Sequence, residues 1–192
     1  MIQQHQQYNE QFLPFLAAAA SPFHAVQEMA RHLEKRGFRR LFEQQSWQIE
    51  AGGSYYVVRD DAAIIAFTIG DQEQLADGFR VVGAHTDSPC LQIKPAMEQK
   101  GTAGKLKRLG VEIYGGALLS TWFDRDLSIA GRVFVQQHNT SRPGTYLLNF
   151  ARPMLSIPSL AIHLNREANN GAKIDKQNHL VPLFTQGEKK EF

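Results

Sequence analysis

Apolar residues recur every three to four positions from Ile2 to Ala20 and again from Pro22 to Arg36. That spacing lines one face of a helix. Ser21 stands where an N-cap belongs, Pro22 at a first helical position and Gly37 just past a helix end, so two consecutive helices are predicted ahead of any sheet. The pattern then changes to aromatic and β-branched residues. Tyr55 to Arg59 and Ala62 to Ile69, separated by Asp60-Asp61, read as a hairpin. Phe79 to Ala84 is almost wholly apolar and reads as a third, central strand.

Beyond Pro89 the chain becomes β-rich, with strands predicted around Leu91 to Glu98, Val111 to Tyr114, Gly131 to Val135 and Tyr146 to Phe150. Gly101, Gly104, Gly110, Gly115 and Gly116 punctuate this stretch, and Gln137 to Gly144 has the composition of an exposed loop. The change of texture predicts an α/β segment over residues 1–89 followed by a β-rich module over 90–192.

The apolar run ends at His85 and Asp87. In a strand these two side chains leave on the same side, which places an imidazole and a carboxylate in one volume. At the carboxyl end of a strand in an open α/β sheet, that volume is where ligands bind. The pair is half of a metal site, with the His as ligand and the Asp orienting it. The plainer reading is a hydrogen-bonded structural His.

Other candidates weigh differently. His163 sits among Leu160, Ala161, Ile162 and Leu164, surroundings that ordinarily bury a structural His. Asp124-Arg125-Asp126 reads as a charge-compensated structural network rather than a catalytic pair. His24 lies on an amphipathic helix, where packing or a capping hydrogen bond explains it. Cys90 beside His85 and Asp87 reads as a small buried hydrophobe rather than a thiolate ligand, because Pro89 redirects the chain between them. His5, His32, His138 and His179 show no ligand spacing to one another.

Composition narrows the partners. At 43% hydrophobic residues over 192 positions the chain has ample material for a core. A net charge of +2, with 21 basic against 19 acidic side chains, gives no case for nucleic acid. Lys94, Lys100, Lys105, Lys107 and Arg108 read as a solvated surface, since no aromatic residues interleave with them. Cys90 is the single cysteine, which rules out an intrachain disulfide and predicts a cytoplasmic protein. Residues 1–10 lack the pattern of a signal peptide, and Phe12 to Ala20 is too short to cross a bilayer, so no membrane partner is expected.

The motifs together resemble a known family. Gly83-Ala84-His85-Thr86-Asp87-Ser88-Pro89, followed by Leu91-Gln92-Ile93-Lys94-Pro95, is similar to the first metal-binding segment of the aspartyl aminopeptidase (M18) metallopeptidases, most closely the bacterial members. Ser21-Pro22-Phe23-His24-Ala25-Val26 resembles the family's opening helix. Tyr114-Gly115-Gly116 with the run from Thr121-Trp122-Phe123-Asp124-Arg125-Asp126 to Gly131-Arg132-Val133 resembles its most recognisable internal motif. Ile157 to Arg166 and His179-Leu180-Val181-Pro182 agree in the same order.

The resemblance implies the amino-terminal part of a zinc-aminopeptidase α/β sheet domain, followed by an incomplete β-rich dimerisation domain inserted into it. It implies two zinc ions per subunit of the complete enzyme, peptide substrates cut at an acidic or broader range of amino-terminal residues, and assembly into dimers and larger homo-oligomers. His85 is implied as a zinc ligand and Asp87 as the residue orienting the site. His163 is implied either as a ligand or as a group reaching the partner subunit's site to stabilise an oxyanion, the second being favoured because an inserted domain is more easily delivered across a dimer. The family's Glu-Glu pair does not occur, and the acidic residues after Asp126 are Glu167, Asp175, Glu188 and Glu191. The expectation is therefore an amino-terminal portion that is inactive alone, the alternative being an assembly fragment without catalysis.

Overall fold

A computed structural model describes residues 2–70, 78–100, 106–138 and 140–186. Its chain divides into two compact units, Met1–Asp87 with Ala130–Leu148, and Ser88–Ile129 with Asn149–Phe192. Among the described residues, no helix is long and apolar enough to cross a membrane.

The first unit opens with α1 (Ile2–Ala18) and α2 (Pro22–Glu34). Ser21 caps α2 as its sequence position predicts: its φ is −150° and its hydroxyl accepts from the His24 amide. Such a cap contributes about 1 kcal/mol. The same hydroxyl lies within hydrogen-bond distance of His24 Nδ1, at 2.7 Å. Burial pushes the His24 pKa down, which favours the neutral ring. Gly37, at φ +83°, supplies the left-handed turn that ends the helix.

A three-stranded sheet follows, β1 (Arg39–Leu41), β2 (Ser54–Arg59) and β3 (Ala63–Thr68), in the order β1-β2-β3. β1 runs parallel to β2, and β2 antiparallel to β3 with Tyr56 opposite Ala66. The central strand carries the core: Tyr55, Tyr56 and Val57 are buried together with Ala25 and Val26 of α2. Each buried side chain of this size is worth about 1.5–3 kcal/mol. Both tyrosine hydroxyls find partners, as buried phenols must. Tyr56 donates to Glu34, and burial followed by this bond pushes its pKa up to about 12. Tyr55 accepts from Arg39 and from the Glu50 amide. Asp60 and Asp61 take φ of +52° and +56°, so both are left-handed in the three-residue loop that joins Arg59 to its partner Ala63, closed by the Ala62 amide on the Arg59 carbonyl.

In the second unit β4 (Cys90–Lys100), β5 (Leu106–Tyr114) and β8 (Leu183–Gln186) form an antiparallel sheet in the order β4-β5-β8. The β4–β5 register shifts between Ile93 and Glu98, a stretch that holds Pro95, which has no N–H to give a ladder. Leu109, Val111, Leu155, Ile157 and Leu180 form the core. Between the two main pieces of this unit the chain makes the paired strands β6 (Ala130–Val135) and β7 (Gly144–Asn149). α2 packs against β2, β3 and β6.

The predicted strand at Phe79 to Ala84 does not form. Residues 78–89 have no regular structure, and Phe79, Val81 and Val82 are 91%, 85% and 98% exposed. β-branched residues favour a strand only where a neighbouring strand takes up their backbone groups. None of the described strands pairs with this segment. Strands β1 and β8 were the converse case, too short to stand out as periodic runs.

Candidate metal centre

Without a strand beneath it, the His85–Asp87 pair is assembled by a local fold of the chain. His85 Nδ1 lies 2.8 Å from the Asp87 carbonyl oxygen and 3.2 Å from Asp87 Oδ1. Both neighbours are acceptors, so Nδ1 carries the proton and donates. That tautomer leaves Nε2 with the lone pair, on a side chain 82% exposed. A carboxylate or carbonyl oxygen on one imidazole nitrogen, with the other left open, is how metal-binding histidines are oriented. The convergence predicted from strand alternation is therefore present, but its cause is the return of Asp87 onto the ring.

Thr86, between them, was not singled out by its sequence. Its hydroxyl donates to the Ala62 carbonyl at 2.9 Å. Ala62 closes the Asp60-Asp61 turn through its amide on the Arg59 carbonyl. On the outer side of that turn Arg132 Nη1 donates to the Asp60 carbonyl at 2.7 Å and lies 3.4 Å from Asp61 Oδ2. The Arg132 guanidinium also covers the Phe23 ring, 4.2 Å from its centroid.

The remaining candidates belong to the second unit. His163 lies in a turn and is exposed, not buried as its apolar neighbours predict; Leu160, Ile162 and Leu164 are exposed with it. A turn of this length presents no regular face that could be packed away, so its apolar residues stay exposed. Cys90 opens β4 opposite Tyr114 and is half-buried. Lys94 meets Gln177 and Glu112 at the surface, in keeping with a solvated basic stretch, while Lys105 lies outside the described residues. Among the described residues, no group of three or more His, Cys, Asp or Glu gathers as a metal cage.

Asp124-Arg125-Asp126 is structural, through backbone partners rather than charge pairing. Asp124 takes φ +52° and its carboxylate accepts from the Ser159 amide at 2.7 Å, while its own amide donates to the Ile157 carbonyl. Arg125 donates to the Thr121 carbonyl. The Ser159 hydroxyl, then its amide, hold the Asp124 carboxyl below the usual carboxylate range. A carboxylate with a depressed folded pKa stabilises the fold above its unfolded pKa, and that contribution fades as pH falls through the folded value. Asp124→Asn keeps a residue tolerant of positive φ and removes the charge. We expect it to lower the urea midpoint at neutral pH, with the difference from the parent narrowing in acid below the ordinary carboxylate range; unfolding curves at both pH values check this.

Comparison with known proteins identifies the family. The family model described as "Aminopeptidase I zinc metalloprotease (M18)" matches residues 15–191. The chain is 48% identical over 187 residues to a probable M18 family aminopeptidase 2 of Pseudomonas aeruginosa, covering 96% of this chain and 43% of that protein. A protein of the same description from Pseudomonas syringae is 48% identical over 178 residues, covering 93% and 41%. This chain thus spans about two-fifths of the length of these curated relatives. Among solved structures, a chain from the complex of Ape4 and Nbr1 superimposes with a TM-score of 0.87 at 41% identity, covering 93% of this chain and 34% of that one. The Saccharomyces cerevisiae mApe1 dodecamer gives 0.74 at 26% identity, covering 95% and 49%.

Proposed function

This chain belongs to the M18 family of aminopeptidase I zinc metalloproteases, and from that premise we propose that it supplies the first zinc ligand of an aminopeptidase that removes amino-terminal residues from peptides. The observation that carries the proposal is the His85 ring, its Nδ1 proton held by Asp87 and its Nε2 turned outward. His85 and Asp87 fit one ligand of a zinc ion and the group that orients it; they do not by themselves make the usual three or four ligands. Zinc, when bound, acts as a Lewis acid and lowers the pKa of water, and a second ion in the complete enzyme shares the developing charge. Asp87 keeps the imidazole in the ligating tautomer through the reaction. His163, exposed on its turn, is proposed to act on the oxyanion of the partner subunit's substrate.

Assembly belongs to the same proposal. Residues 1–89 are read as peptidase domain and 90–192 as part of an inserted dimerisation domain; the change of compact unit between Asp87 and Ser88 supports the boundary, while Ala130–Leu148 group with the first unit. The exposed Leu160, Ile162 and Leu164, and the exposed Phe134 and Tyr146 of the β6–β7 pair, support self-association. Acidic amino-terminal residues are the proposed preference, with a broader range as the alternative.

The test is a full-length M18 chain carrying this segment, assayed on amino-acyl anilides with acidic and neutral side chains. The expected result is hydrolysis that disappears with chelation and returns with zinc, while the 192-residue chain alone binds zinc weakly and turns over nothing at a useful rate. Hydrolysis indifferent to chelation, or tight zinc and full turnover by the 192-residue chain, overturns the proposal.

A further inference from the structure

We propose that Thr86 is a positioning residue for the metal-binding pair, the inner point of a clamp whose outer point is Arg132; this rests on the reading of His85 as a zinc ligand. Residues 78–86 lie in no strand or helix, and among the described residues none of them makes a backbone–backbone hydrogen bond. A ligand on such a segment visits many orientations, and its apparent affinity falls with the fraction of time spent in the competent one. Something on a rigid element must hold it.

The Thr86 hydroxyl does so. Its 2.9 Å bond to the Ala62 carbonyl joins residues 24 positions apart and fastens the centre of His85-Thr86-Asp87 to the turn of the β2–β3 hairpin. Thr86 and Asp87 are half-buried, while 81–85 are exposed. The anchor point is itself braced. Asp60 and Asp61 both hold positive φ, a conformation that aspartate adopts more readily than other non-glycine residues but that still needs support. Arg132, stacked on Phe23 of α2, donates to the Asp60 carbonyl and reaches Asp61 Oδ2. The turn that offers the Ala62 carbonyl is thereby tied to α2 and β6, the packed part of its own unit.

The consequence is specific to the hydroxyl. Thr86→Val keeps the shape and deletes the donor, leaving the Ala62 carbonyl without this partner and the His85 segment without this tether. Thr86→Ser keeps the donor. Arg132→Gln loosens the turn without touching the segment.

Zinc titrated into the 192-residue chain, followed by NMR at the His85 imidazole, tests the clamp at the site itself. Thr86→Val is expected to weaken zinc binding at His85 by about two- to tenfold, the range of one net hydrogen bond. Thr86→Ser is expected to restore it, and Arg132→Gln to weaken it in the same direction. The Thr86→Val, Arg132→Gln double variant is expected to fall short of the product of the single effects, since both break one chain of contacts. Zinc binding at His85 unchanged in Thr86→Val, or weakened without rescue by Ser, overturns the clamp while leaving the ligand standing. A parent His85 ring that zinc does not perturb overturns the ligand reading and the clamp with it. If Thr86→Val does not fold, Arg132→Gln decides: parental affinity in that variant overturns the proposal.

Discussion

A full-length M18 chain carrying this segment with His85→Ala is expected to lose zinc and hydrolysis together. Nε2 is the electron pair that the local fold presents outward, and alanine offers nothing in its place. Asp87→Asn separates ligand from orienting group. Residues in that outer role cost about 10- to 100-fold in metal affinity or activity when changed, so His85→Ala must exceed that range in kcat/KM and Asp87→Asn must fall within it. Asparagine keeps an oxygen for Nδ1–H, and the 2.8 Å bond to the Asp87 carbonyl survives the change, which places its effect toward the lower end. Zinc content by elemental analysis beside kcat/KM reads both variants. Full zinc occupancy in His85→Ala would show that the ring is not a ligand.

His163→Ala is expected to lower kcat by about 10²- to 10³-fold, the loss that follows removal of one oxyanion donor, with zinc content and KM close to the parent. Its exposure removes the ordinary explanation for a His among leucines and isoleucines, that of a buried structural group. On the proposed role, the exposed apolar turn carries the imidazole into a partner subunit's site, where it acts on the transition state without holding the metal. Mixing His163→Ala subunits with subunits disabled at His85 distinguishes the cases. Delivery across a dimer restores part of the activity in the mixed assembly, whereas loss of a zinc ion on His163→Ala alone assigns the ring to the metal instead.

What the chain determined by itself is what short-range chemistry decides. The two helices, the Ser21 cap, the Asp60-Asp61 hairpin and the strands β4 to β7 follow from periodicity, capping and turn residues within a few positions of one another. The family was legible for a related reason, since its motifs are contiguous runs, and the match over residues 15–191 agrees with them. The pairing of His85 with Asp87 is also local, two positions apart, and survived even though the strand meant to produce it did not form.

Tertiary structure decided the rest. Phe79 to Ala84 has strand composition, yet a strand exists only by hydrogen bonds to a neighbour, and composition does not say whether one is present. β1 and β8 are visible only through their partners, β2 and β5. Asp124 looked like part of a charge pair because Arg125 adjoins it, but its carboxylate is satisfied by Ser159, 35 positions away. Thr86 and Ala62, 24 positions apart, carry no mark in either segment that they touch. A side chain's nature is written at its own position, whereas its partner is fixed by the path of the backbone between them, and only the folded chain shows which carbonyl that path brings within 3 Å of a hydroxyl.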